Sequence, residues 1–201
     1  MKIKILKEAG YEEAILGLSL SFYDHLEPLS TWWTKEKQVR AKQRALALAF
    51  KGGGHNKFLE SIQVWVYIQA PRCFWSEFDT YRIGMTKNSS STMHTLDKRY
   101  VVPEDFSPNT SFSSIKAFND CITMYKEVGN SYYKDITFLK DNLPEGWLQE
   151  RQLCFNYMTL QNIIRQRENH RLKYWKQFCT EILSMVEYPE LLTQLSEIKN
   201  D

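Results

Sequence analysis

Cysteine is scarce and scattered: Cys73, Cys121, Cys154 and Cys179 are the only four, and no two form a C-x-x-C pair. That spacing suggests neither a disulfide framework nor a zinc site, and it suits a reducing cytosol. Long apolar runs are missing as well. Met1-Lys2-Ile3-Lys4 leads into no signal-like stretch, and no segment is apolar enough over enough length to span a bilayer. The expected location is therefore cytoplasmic, with no membrane partner. Charge of one sign never accumulates: 26 basic residues face 24 acidic ones, a net +2. A general nucleic-acid footprint is not expected, whereas a local basic pocket for a small anion is compatible with that balance. G-x-S-x-G, H-E-x-x-H and G-x-G-x-x-G are all absent, as is a cysteine nucleophile signature or a metal-ligand set. The carboxylates form no pair that spacing assigns as acid and base.

What remains is ordinary globular material. With 201 residues, 43% of them hydrophobic and 25% charged, the chain is long enough for one domain, 1–201, with a substantial core. Ala14, Ile15 and Leu18 make an apolar stripe in a helix over 11–25, and Trp32-Trp33 leads into a basic helix over 35–50. Gly52-Gly53-Gly54-His55 ends that helix. It is no phosphate loop, lacking the lysine and hydroxyl of a Walker pattern, and His55 reads first as a turn residue. Ile62 to Gln69 alternates with period two and is rich in β-branched and aromatic residues, which predicts a strand. Ala70-Pro71 ends it, and a helix carrying Phe74, Trp75 and Phe78 on one side follows. Residues 103–112 read as irregular. Ile115 to Leu139 keeps helical spacing with a break at Gly129. The fold class is α+β.

Two stretches stand out as site-like. The hydroxyl-dense segment 82–95, entered by Arg82, reads either as a surface loop or as an anion cradle of hydroxyls and backbone N–H groups. After Leu143-Pro144, a long helical segment places Leu160, Ile163, Ile164, Trp175, Phe178 and Ile182 on one face, with Asn156 and Arg167 on it too. An arginine on an apolar face must be paired, reach water or meet an anion. Asn162 lies between the two in sequence.

These residues together resemble the flavin-dependent thymidylate synthases, the ThyX family, colinearly over nearly the full length. Gly54-His55 followed by Phe58 is similar to the family's Gly-His near a Phe. Ala70-Pro71 followed by Thr80-Tyr81-Arg82 has the spacing of its Ala-Pro and Arg-His-Arg, and Asn88 and Ser91 resemble the Asn and Ser that close that signature. Leu143-Pro144, Asn156, Asn162 and Arg167 match its Leu-Pro, its two flavin-side asparagines and its uridylate-activating arginine. The signature also departs from the family: Thr80 and Tyr81 replace Arg and His, Met85 a Ser, Ser89 a Glu and Met93 the last Arg, with one extra residue before Asn88. Glu77 stands for a Gln, and Lys140 for an Arg at the phosphate.

The resemblance implies a ThyX-like fold, a small antiparallel or mixed sheet packed with long helices, assembled as a homotetramer. It implies FAD as cofactor, with NADPH and methylenetetrahydrofolate as co-substrates, and methylation of dUMP to dTMP. His55, Thr80, Tyr81, Arg82, Asn88, Asn156 and Asn162 fall on the cofactor side by this match. Glu77, Ser89, Ser90, Ser91, Thr92, Lys140 and Arg167 fall on the substrate side, with Arg167 stabilising charge on the uracil ring. Two alternatives stay open: another flavin-dependent C5 modification of a uridylate, such as hydroxymethylation, and a non-catalytic nucleotide-binding descendant.

Overall fold

The alternation in Gln63-Val64-Trp65-Val66-Tyr67-Ile68 is the clearest structural signal in the chain, and it forms strand β2, Gln63–Pro71, with every second residue buried. In the computed structural model, which describes residues 1–127 and 131–194, β2 belongs to a four-stranded sheet. The other strands are β1 (Lys2–Ala9), β3 (Met85–Ser89) and β4 (Leu148–Asn156), in the order β1-β2-β4-β3. The pairing is antiparallel. Tyr157 N donates to Ile62 O and Arg72 N to Trp147 O, while Asn156 N donates to Gly84 O and Ser90 N to Glu150 O. The helices are α1 (Tyr11–Ser19), α2 (Leu29–Trp32), α3 (Lys35–Leu48), α4 (Arg72–Phe78), α5 (Phe112–Glu127), α6 (Ile136–Asp141), α7 (Tyr157–Arg167) and α8 (Lys173–Met185). This is the expected mixed α+β class.

The chain forms two compact units. The first comprises Met1–Lys2, Ile68–Thr80 and Asn88–Gln152, and the second Ile3–Tyr67, Tyr81–Lys87 and Leu153–Asp201. In the first, Phe106, Ile115, Phe118, Ile122, Leu139 and Leu143 belong to one buried cluster, drawn from α5, α6 and the segments beside them. Helix α4 buries Phe74, Trp75 and Phe78 as its spacing predicts. The Trp75 indole donates to Gln149 O at 3.0 Å, and Arg151 lies over its ring while pairing with Asp79 at 2.7 Å. In the second unit, α1 buries Ala14 and Ile15, α3 buries Ala41 and Ala45, and α7 and α8 bury Leu160, Ile163, Trp175 and Phe178.

Two expectations are corrected. The continuous helix after Leu143-Pro144 does not exist: β4 comes first, then α7, then a turn at 168–172, then α8. Leu148-Gln149-Glu150-Arg151-Gln152 is a run of good helix formers, but propensity is a weak prior and strand pairing overrides it. The segment 82–95 is not loop throughout, because Met85–Ser89 pairs with β4 as an edge strand. Its polar residues Thr86 and Asn88 point to the exposed face, as suits a sheet edge. Strand β1 was not anticipated, although Lys2-Ile3-Lys4-Ile5 alternates. The first helix stops at Ser19, whose hydroxyl donates back to Ile15 O. The basic helix runs close to its expected bounds, capped by the Thr34 side chain. Residues 103–112 are mostly irregular, apart from one helical turn at Pro103–Asp105 and a bridge from Phe106 to Trp147. The expected break at Gly129 lies outside the described residues.

Tyr157 ties the second unit together. Its hydroxyl donates to the Glu8 carboxylate, whose other oxygen accepts from Glu187 N at 3.1 Å, and Tyr188 N donates to the Tyr157 oxygen at 3.2 Å. Burial pushes the Glu8 carboxyl above the usual glutamate range, against the lowering effect of these hydrogen bonds. A raised carboxyl contributes stability that is complete below its unfolded pKa and lost as pH rises through the folded one. Wild-type stability relative to Glu8→Gln should accordingly fall as pH rises above the ordinary glutamate range, measured by denaturant midpoints across pH. Parallel pH profiles for the two proteins would contradict this.

Candidate active site

Helix α7 begins at Asn156, and that residue is largely occupied by starting it. Its Oδ1 accepts from Thr159 N at 2.8 Å, the expected N-cap bond. Its backbone N donates to Gly84 O at 3.2 Å, and the Thr159 hydroxyl donates to Ile83 O at 2.9 Å. Gly84 has φ +69, and a Cβ there would fall 2.5 Å from Thr159 Oγ1 and 2.7 Å from Asn156 Nδ2. Asn156 thus precedes the helix and does not lie along its face.

Arg167 does follow the buried face of α7, after Leu160, Ile163 and Ile164. Its Nε donates to the Tyr81 hydroxyl at 2.8 Å, and its guanidinium lies 4.7 Å over the Trp175 ring. The Tyr81 and Trp175 rings meet edge to face, with centroids 6.0 Å apart. Tyr81 in turn donates to Gln166 Oε1 at 3.0 Å, and Gln166 and Arg165 both donate to Asn162 Oδ1. The structure therefore joins Tyr81, Arg167 and Asn162 in one network, through Gln166. Such a site holds a cation in a fixed pose beside an aromatic face, suited to an anionic or polarised planar ligand.

The other candidates lie elsewhere. His55 is exposed on the glycine turn, where Gly53 and Gly54 have positive φ, and it borders a cavity of about 690 Å³ with Phe22, Arg44, Lys57 and Phe58. Arg44 and Lys57 were not singled out in the sequence, although Arg44 belongs to the basic helix that the glycines end. Arg82 is exposed. In the first unit, Ser90 and Thr92 border a cleft of about 530 Å³ with Lys98 and Arg99. Arg99 was also missed, and it is engaged bidentately by Asp105 at 2.6 and 2.7 Å. The Ser90 hydroxyl accepts from Glu150 N, and Ser91 O accepts from the Thr95 hydroxyl. Asn88 and Ser89 are exposed on the edge strand. Thr80 donates to Glu77 O at 2.8 Å, closing the end of α4, where Glu77 is half-buried. The Lys140 ammonium contacts Met93 Sδ at 3.4 Å. Among the described residues, no His, Cys, Asp or Glu cluster could hold a metal ion, and no helix is long and apolar enough to cross a membrane.

The profile of the thymidylate synthase complementing proteins, Thy1, matches residues 15–188, so the chain belongs to that family. Two structures of the flavin-dependent thymidylate synthase ThyX from Helicobacter pylori, each complexed with FAD and dUMP, share its fold. One matches with TM-score 0.75 at 15% identity, over 96% of this chain and 98% of that one. The other matches with TM-score 0.77 at 14% identity, over 96% and 97%. No curated protein sequence matches the chain.

The Gly84 geometry generates a direct test. Gly84→Ala adds a methyl at a left-handed position against Asn156 and Thr159, and should cost about 1–3 kcal/mol. Chemical denaturation would read this as a lowered midpoint, and an unchanged midpoint would rule out the close approach.

Proposed function

We propose that the protein is a flavin-dependent synthase that methylates dUMP to dTMP, working as a homotetramer. The observation that carries this is Arg167, held by Tyr81 and Trp175 at the end of α7 in a chain of the Thy1 family. The donor chemistry around His55 fits a flavin dinucleotide. Arg44 and Lys57 offer charge to a pyrophosphate, Phe22 and Phe58 offer faces to a ring, and Glu13 and Glu60 can accept from ribose or ring N–H groups. When bound, reduced FAD supplies the hydride, methylenetetrahydrofolate the methylene carbon, and NADPH restores the reduced flavin.

The protein's own part is binding and electrostatics. Arg167 donates to the uracil oxygen on which negative charge develops as C5 becomes nucleophilic, and its fixed pose lowers the reorganisation this needs. No protein nucleophile is required. Ser89, Ser90, Ser91, Thr92 and Lys140 bind the phosphate, and Asn162 keeps Gln166, and through it Tyr81, in place. In a homotetramer, residues from different copies complete each site. The Lys140–Met93 contact favours a second reading. Met93 takes a place where the family resemblance has arginine, leaving less charge for phosphate, as would suit a nucleotide-binding protein without turnover.

The visible spectrum of protein incubated with FAD and then desalted separates these readings. A retained flavin band, followed by dUMP-dependent oxidation of the reduced protein, is the expected result. Mass analysis of the product distinguishes a methyl from a hydroxymethyl at C5. A colourless protein that still binds dUMP would establish the second reading instead. Arg167→Ala should lower turnover by about 100-fold or more with the circular dichroism spectrum unchanged. Tyr81→Phe keeps the ring but loses both hydrogen bonds, and kcat/KM should fall about tenfold while flavin stays bound.

A further inference from the structure

Gln161, Ile164, Arg165 and Glu168 share one face of α7 and its cap, at i, i+3, i+4 and i+7, and border a cavity of about 340 Å³ together with Phe50. All five belong to the second unit, and the proposed reaction gives none of them a task. Glu168 is the member that local structure does not explain. It is half-buried and caps the C-terminal end of α7, where the helix dipole disfavours negative charge. Among the described residues its carboxylate accepts no hydrogen bond and forms no ion pair. Arg165, three positions earlier, is placed to neutralise it, yet its Nη2 donates to Asn162 Oδ1 at 3.1 Å instead. The Gln161 amide nitrogen uses its hydrogens on Ala49 O at 3.0 Å and Leu191 O at 2.8 Å, so Oε1 is left as an acceptor without a donor among the described residues. Phe50 is exposed at the cavity and offers it an aromatic face.

These groups narrow the choice of ligand. The cavity is at the small end of the range for ligand pockets, which suits a single nucleoside better than a dinucleotide. A half-buried carboxylate is best met by two parallel N–H donors, one for each oxygen. A guanidinium or polyamine ligand would supply them, but the Arg165 cation beside Glu168 would repel it. A neutral, flat ligand avoids that repulsion and can stack on Phe50. Among the nucleobases, guanine alone carries two adjacent N–H donors on one edge, at N1 and the 2-amino group. Its O6 lies next to N1, where a guanidinium donor can reach it. Adenine and cytosine each turn a ring acceptor towards the carboxylate, and uracil flanks its single N–H with two carbonyl oxygens.

We propose that this cavity is a binding site for a guanine nucleoside. Glu168 accepts from N1–H and the 2-amino group, Arg165 donates to O6, and Phe50 stacks on the ring. The assignment rests on the cavity's own residues and stands whether or not the synthase reading holds.

Isothermal titration of the full-length protein with guanosine and inosine tests this, because inosine differs only in lacking the 2-amino group. Guanosine should bind about tenfold tighter or better, as expected for one more hydrogen bond to a charged acceptor. In Glu168→Gln that preference should shrink below about twofold, with the denaturation midpoint unchanged or raised, since the exchange removes a charge that the helix end disfavours. Phe50→Ala should weaken guanosine and inosine alike. Equal affinity for the two nucleosides, or a preference that survives Glu168→Gln, overturns the proposal. Displacement of guanosine by FAD or dUMP at equal concentration also overturns it, making the cavity part of the flavin or uridylate site. A guanosine preference in a protein that neither holds FAD nor oxidises it with dUMP keeps the cavity and removes the synthase reading. Absence of that preference alongside intact turnover removes the guanine site alone.

Discussion

The second unit depends on how a strand becomes a helix at Asn156. Strand pairing must end and helical hydrogen bonding must begin within one residue, and every backbone N–H at that point needs a partner. Three bonds settle this: Asn156 N to Gly84 O, Tyr157 N to Ile62 O, and Thr159 N to the Asn156 side chain. Only a residue without a Cβ fits at Gly84, where the backbone passes under the Asn156 amide. With its first turn fixed at both edges, α7 has one direction available. Its last residue, Arg167, is then delivered to Tyr81 and Trp175 at a set distance along the axis.

A half-buried guanidinium loses much of its water, and the replacement contacts decide its use. Arg151 in the first unit shows one solution. It lies over Trp75 and pairs with Asp79, so its charge is neutralised where it stands and serves packing. Arg167 lies over Trp175 in the same way, but the group on its Nε is a phenol. Tyr81 and Trp175 both hold the guanidinium without carrying charge themselves. They restrict its rotamers and compensate part of the lost hydration, which is what preorganised electrostatic stabilisation needs.

Much of the fold was legible because burial imposes a period. Strand β2 has two-residue alternation and α4 has its aromatic face, and both appear where the spacing puts them. Strand β4 was hidden because Gln149 to Gln152 are polar and favour helices, and their strand conformation comes from neighbouring strands that local sequence does not encode. The site was legible in part. Arg167 on an apolar face was visible from α7's own period. Its partner Tyr81 is 86 positions away in sequence and could be named only as a departure from a family signature. Asn156 was read as a ligand residue on a helix face. Its place just before a helical run is equally the mark of an N-cap, and the cap is what the structure shows.

The tyrosine at that departure is chemically coherent. The family signature has histidine there, which can accept at one ring nitrogen and donate at the other. A phenol does both through a single oxygen farther from the backbone, and Tyr81 uses it so, accepting from Arg167 and donating to Gln166. Gln166 then donates to Asn162, which also accepts from Arg165. The outer polar residues of α7 thus form a chain that ends on the guanidinium, and each bond fixes the direction of the next. The substitution therefore leaves an arginine held in place, and two further departures, Ser89 and Met93, fall in the first unit.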